Sequence, residues 1–219
     1  MQTRSCVESL LALDYPARRM EIIVVDDASS PPLGPALSSL PIRLLRLNAN
    51  TGQSAARNLA AGQANGEILA FIDNDCVAAK DWLKTLVSHF DQANMGIVGG
   101  RVVAPAATGR VAAYEAVRSP LDMGAAESEV GPDKWVAYLP TCNLLVRRNV
   151  LLEHGGFDPA MRLGEDVDFI WRVRLPDKLF TITGSDYGPC FVAGPITPLQ
   201  KQTCNSVIPR AGEPCRYLP

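Results

Sequence analysis

The chain has 219 residues, of which 47% are hydrophobic and 20% charged, and its formal net charge is −2 at pH 7. That is enough for one sizeable α/β core, and with no basic run it gives no footing for nucleic acid. Six cysteines without a CxxC pair, and two histidines, exclude zinc-finger spacing. The opening residues do not read as a signal peptide, and no apolar stretch is long enough to span a bilayer, so a reduced, cytoplasmic setting is expected.

Val7-Glu8-Ser9-Leu10-Leu11 reads as the back half of a helix. Strands are predicted at residues 21–25, 42–47, 67–72, 96–103 and 136–147. The first and third are nearly continuous in Ile, Val, Leu and Phe, the pattern of parallel strands covered on both faces. A helix over 53–64 carries Ala55, Leu59 and Ala60 on one face, and one over 80–92 carries Trp82, Leu83, Leu86, Val87 and Phe90. Another is expected at 167–172, with Trp82 and Trp171 facing the core. Alternating strands and helices predict an α/β fold with a doubly wound, mostly parallel sheet.

After Arg174 the pattern changes. Residues 175–219 hold seven of the 17 prolines and three of the six cysteines, with no strand or helix periodicity. The expectation is a core over 1–174, partial at both ends, and over 175–219 one of two things: an irregular tail, or a non-native, frame-shifted end.

The candidate chemistry sits at strand ends, where α/β sheets bind ligands. Asp73-Asn74-Asp75 closes the third strand. Two carboxylates there suit a hard divalent cation, Mg²⁺ or Mn²⁺, that neutralises the phosphates of a nucleotide diphosphate. Asp26-Asp27 ends the first strand, and such carboxylates can accept hydrogen bonds from a base or a ribose, or serve as simple caps. Asn50-Thr51-Gly52 opens the next helix, whose free N–H groups favour anions, and Arg57 lies about one turn in. Gly164-Glu165-Asp166 opens the last helix, where acids favour the dipole but can also act as a general base. Gly155-Gly156-Phe157-Asp158 reads as an aromatic-tipped turn able to line an acceptor pocket.

Taken in order, EIIVVDDAS, NTGQSAARNLA, GEILAFIDND, NLLVRR, GGFD and GEDVDFIWR resemble the family 2 inverting glycosyltransferases of the GT-A, Rossmann-like fold. The likeness covers roughly residues 6–174. Residues 114–124, with 136–140, are further similar to the mycofactocin-system glycosyltransferases. The resemblance implies a metal-dependent transfer of a sugar, glucose, from a UDP-sugar donor to an acceptor hydroxyl with inversion. The implied acceptor is a peptide-derived redox cofactor, and peripheral membrane association is left open.

The resemblance also implies roles. Asp27 contacts the base with Asp26 nearby, and Arg57 lies against the base or diphosphate. Asp73 meets the ribose side of the donor, and Asp75 binds the metal. Asp166 is the general base, with Glu165 beside it. Two family features are not found: a first strand of the V-S-V-I-I-P type, whose loss would leave neighbouring strand edges unpaired, and a metal-binding histidine after the E-D helix. Alternatives are a nucleotidyltransferase, an inactive donor-binding remnant, and a structural domain whose acids are caps. Transfer of sugar rather than of nucleotide from a nucleotide-sugar separates off the first, the absence of donor consumption would mark the second, and an Asp75→Ala that changes only stability the third.

Overall fold

Ile22 and Val24 of the first strand pack to one side of the sheet, and Ile23 and Val25 pack to the other. The two-residue period of extended chain forces this alternation. Both faces are covered, which is why the strands read as unbroken apolar runs. The structure is a computed structural model that describes residues 2–103, 114, 121–124, 126–130, 136, 138–173, 179–183, 190–192 and 203–209.

The elements are α1 (Gln2–Leu11), β1 (Met20–Asp26), the single turn α2 (Gly34–Leu37), β2 (Arg43–Arg46), α3 (Gln53–Gln63), β3 (Ile68–Asp73) and β4 (Cys76–Ala78). There follow α4 (Trp82–Ser88), β5 (Met95–Gly100), β6 (Val102–Val103), β7 (Ser128–Glu129), β8 (Asn143–Arg147), α5 (Arg148–Glu153) and α6 (Glu165–Val173). β9 (Leu179–Thr183), β10 (Cys190–Val192) and β11 (Thr203–Pro209) complete the set.

The main sheet has the order β2-β1-β11-β3-β8-β5-β9-β7, and a second sheet the order β4-β10-β6. In the main sheet β1, β2, β3, β5 and β9 run one way, and β7, β8 and β11 run against them. The fold is therefore α/β with most strands in one sense, as the sequence predicts, although the central ladders are antiparallel. One face buries Val7 and Leu10 of α1 and Trp82, Leu83 and Leu86 of α4. The other buries Ala56, Ala60 and Ala61 of α3, Val150 and Leu151 of α5, and Phe169, Ile170 and Val173 of α6. Among the described residues no helix is long and apolar enough to cross a membrane.

Several expectations change. The edges of β1 and β3, expected bare, are both paired: β11 lies between them, antiparallel to each, with Ser206 opposite Ile23 on one side and Phe71 on the other. The expected irregular tail thus contains three strands, β9, β10 and β11. Backbone groups of two buried strands need partners whatever the side-chain pattern of the segment that supplies them. The strand expected over 136–147 spans only β8. Pro140 has no N–H to give a ladder, and the Asn143 N–H turns back to the Pro140 carbonyl at 3.1 Å.

Trp82 is fully buried, as expected, and its Nε1 donates to Asn143 Oδ1 at 2.7 Å. Trp171, expected in the core, is 52% exposed. It lies on the outer face of α6, whose inner face is already filled by Phe169, Ile170 and Val173.

Candidate active site

Asp26 and Asp27 end β1 fully buried, and each holds a different loop. Asp26 Oδ1 accepts the Ser29 N–H at 2.8 Å, and Oδ2 accepts the Leu33 N–H at 3.0 Å together with Arg46 Nη1. Burial pushes its carboxyl up, but these hydrogen bonds outweigh burial and hold it below the usual value. Asp27 Oδ1 accepts the Thr51 N–H at 2.7 Å and the Thr51 hydroxyl at 3.1 Å, while Oδ2 accepts the Gly52 N–H at 2.8 Å. Gly52 sits at φ +90 just before α3, a conformation that favours glycine. Asp27 therefore ties the end of β1 to the start of α3.

β3 delivers Asp73, Asn74 and Asp75 to the same end of the sheet, all half-buried. The turn leans on α1: Cys6 Sγ donates to the Asp73 carbonyl at 3.5 Å, and Asn74 Nδ2 donates to Thr3 Oγ1 at 3.1 Å. Cys76 and Cys142 are buried free thiols beside it. A hydrogen bond with Cys76, then burial, pushes the Cys142 thiol well up, which makes it a poor nucleophile.

Arg57 joins the parts. Only 2% of its side chain is exposed. Nη2 donates to Asp73 Oδ1 at 2.9 Å, and Nη1 donates to Glu165 Oε1 at 2.7 Å. Its guanidinium lies 5.7 Å from the centroid of the Phe157 ring. The resemblance puts Arg57 against the donor. In the structure it faces Asp73, one of the expected donor residues, and Glu165, one of the expected acids. Gln53 Nε2 also donates to Glu165 Oε1, at 2.5 Å.

Asp166 follows Glu165 in the first turn of α6, and one of its oxygens accepts the Val167 N–H at 2.9 Å. Burial pushes its carboxyl up, and the charge of Glu165 adds to this; the Val167 N–H and Arg57 pull the other way. Burial, and then the charge of Asp166, likewise raise the Tyr138 phenol. Phe157 does not tip a pocket: it is fully buried, 5.4 Å edge-on to Phe71 and 4.9 Å from Phe169. A phenyl ring among apolar strands packs inward, and the glycines before it permit the turn, at φ +75 and +67.

The structure thus gathers Asp73, Arg57, Glu165 and Asp166 into one charged network, and it sets Asp26 and Asp27 at the end of β1, across β11 from β3. Sequence reasoning assigned no role to Gln53, Asn58 or Tyr138. Gln53, Ser54, Arg57 and Asn58 make a polar stripe on an alanine-rich helix, a signal that helical spacing alone exposes.

Among the described residues, no three His, Cys, Asp or Glu side chains lie close enough to hold a metal by themselves. Mg²⁺ commonly takes one or two carboxylates and completes its shell with substrate phosphates and water. The Asp73–Asp75 turn fits a site of that kind, with Asp75 the carboxylate beyond the one that pairs with Arg57.

A family model described as Glycosyl transferase family 2 matches residues 2–155. The chain is 33% identical over 174 residues to a pre-mycofactocin glycosyltransferase of Mycobacterium tuberculosis, across 78% of this chain and 37% of the relative. It is 31% identical over 209 residues to the glycosyltransferase AglE of Haloferax volcanii, across 91% of this chain and 65% of that protein. The chain therefore spans less than two thirds of the length of either relative. Its fold matches S. aureus TarS 1-349 in complex with UDP-GlcNAc at a TM-score of 0.70 and 21% identity, covering 89% of this chain and 56% of that one. It also matches the mannosyltransferase PcManGT from Pyrobaculum calidifontis, in complex with GDP-Man and Mn²⁺, at 0.67 and 21% identity, covering 90% and 54%. These likenesses establish the GT-A fold.

Proposed function

The chain belongs to glycosyl transferase family 2, and from that premise we propose that it transfers a sugar, glucose, from a UDP-sugar to an acceptor hydroxyl with inversion. The acceptor we propose is the peptide-derived redox cofactor of the mycofactocin system, on the strength of the 33% identity to the pre-mycofactocin enzyme.

The observation that carries this reading is the bridge from Asp73 through Arg57 to Glu165. One guanidinium ties the strand end suited to a donor to the helix start suited to an acceptor. Asp27 holds the Thr51–Gly52 turn beneath the base, with Asp26 bracing the loop beside it, and Asp73 faces the ribose. Asp75 would hold a Mg²⁺ or Mn²⁺ ion, which when bound offsets the charge of the departing diphosphate. Asp166 takes the proton of the attacking hydroxyl. Its burial raises its proton affinity, and a base with a pKa nearer neutrality is the better catalyst. Glu165 stays paired with Arg57 and Gln53 and keeps α6 in register.

The test is a calorimetric titration with UDP-glucose, with and without Mn²⁺, and with Asp75→Ala as the control. Metal-dependent binding that the variant loses supports the reading. Equal binding by both chains removes Asp75 from it, and no binding by the folded parent removes the UDP-sugar.

A further inference from the structure

Four side chains of α3 reach one stretch of chain. Ser54 Oγ lies 3.5 Å from the Met161 carbonyl. Gln53 and Arg57 donate to Glu165, and Asn58 binds the backbone of Phe157. Positions 53, 54, 57 and 58 fall on one face of a helix. That face holds residues 157–165, the run that leads into Asp166.

Asn58 is the most constraining of the four. Its Nδ2 donates to the Phe157 carbonyl at 2.6 Å, and its Oδ1 accepts the Phe157 N–H at 2.9 Å. A carboxamide carries a donor and an acceptor side by side, so one side chain satisfies both backbone groups. The approach is tight: a Cβ on Gly156 would lie 2.5 Å from Asn58 Oδ1. The Phe157 ring is placed by this clasp. It supports the Arg57 guanidinium on one side and packs against Phe169 on α6 on another.

We infer that Asn58 is a positioning residue for the transfer step, acting through Phe157 to set where α6 begins and so where Asp166 meets the acceptor. The inference rests on Asp166 being the base of the proposed reaction. The donor end of α3 is anchored separately, by Asp27 on Thr51 and Gly52. Loss of the clasp should therefore spare donor binding.

The test compares Asn58→Asp, which keeps size but sets an oxygen against the Phe157 carbonyl, with Asn58→Ala. Steady-state kinetics and amide hydrogen exchange are read on both. The expected result is a kcat lowered about tenfold to a hundredfold, the scale of a small misplacement, with donor KM unchanged within about twofold. Exchange should rise over residues 157–168 and stay at the parent level at the start of α3. Should Asn58→Asp fail to fold, Asn58→Ala carries the same readouts. A parent-like kcat in a folded variant overturns the inference, as does donor binding lost in step with kcat. If the parent itself transfers no sugar, the function reading falls, and exchange still decides the clasp: a rise confined to 157–168 supports it, and no rise overturns it.

Discussion

The Arg57 guanidinium meets the Glu165 carboxylate at 2.7 Å across 108 positions of sequence, with 2% and 4% of the two side chains exposed. A buried pair of this kind adds little net stability over an apolar isostere, but breaking it is costly. Arg57→Ala leaves Glu165 and the neighbouring Asp73 without their cation. The expected loss is about 3–5 kcal/mol, measured by urea unfolding. Arg57→Lys keeps the charge but not the two-pronged reach. It should recover part of the stability while turnover still falls at least about tenfold. Full turnover in Arg57→Lys would show that charge alone suffices.

Asp166→Asn should leave donor affinity intact and lower turnover by about 10² or more. It should also stabilise the fold at neutral pH. The Asp166 carboxyl is held above its usual value, so it binds its proton more tightly folded than unfolded. The stability this gives is full below the unfolded value, about 3.9, and is lost as pH rises through the raised one. The variant, always neutral, should melt above the parent near about pH 7, and the gap should close near about pH 3. A gap independent of pH would contradict the burial argument.

Asp26 and Asp27 should separate stability from binding. The Asp26 carboxyl is held below its usual value. Its stabilisation is present above the unfolded value and is lost as pH falls through the lowered one. Asp26→Asn should cost about 2–4 kcal/mol at neutral pH and less in acid, by urea unfolding. Asp27→Ala frees the Thr51 and Gly52 N–H groups. It should cost about 1–3 kcal/mol and also weaken UDP binding in calorimetry. Unchanged UDP affinity would make Asp27 a purely structural residue.

The strand ends were legible because apolar runs that stop on paired acids mark both the buried strand and the edge of the sheet. Asp26, Asp27, Asp73 and Asp75 stand where that pattern put them. The partners of those acids were not legible. Asp27 is satisfied by the N–H groups of Thr51 and Gly52, and backbone donors leave no trace in side-chain order. The same reason hid β11: Thr203–Pro209 enters the sheet through its backbone and carries little apolar alternation. Phe157 was misplaced because a glycine pair reads as an exposed turn. The ring that follows is instead drawn into the core by Phe71 and Phe169. Trp171 erred the other way, because the spacing of α6 does not say which of its aromatics the sheet has room to cover.

The closeness of Gly156 to Asn58 also restricts the order in which this site can change over generations. While Asn58 keeps its carboxamide on Phe157, a methyl group at 156 meets its Oδ1 at 2.5 Å on a backbone already at φ +67. A lineage that first shortens residue 58 opens that space, and position 156 can then accept a residue such as asparagine that tolerates the left-handed region. A lineage that fills 156 first strains the turn and displaces the clasp together. One of the two mutational routes is thus closed at its first step, and in descendants a side chain at 156 should accompany a replaced Asn58.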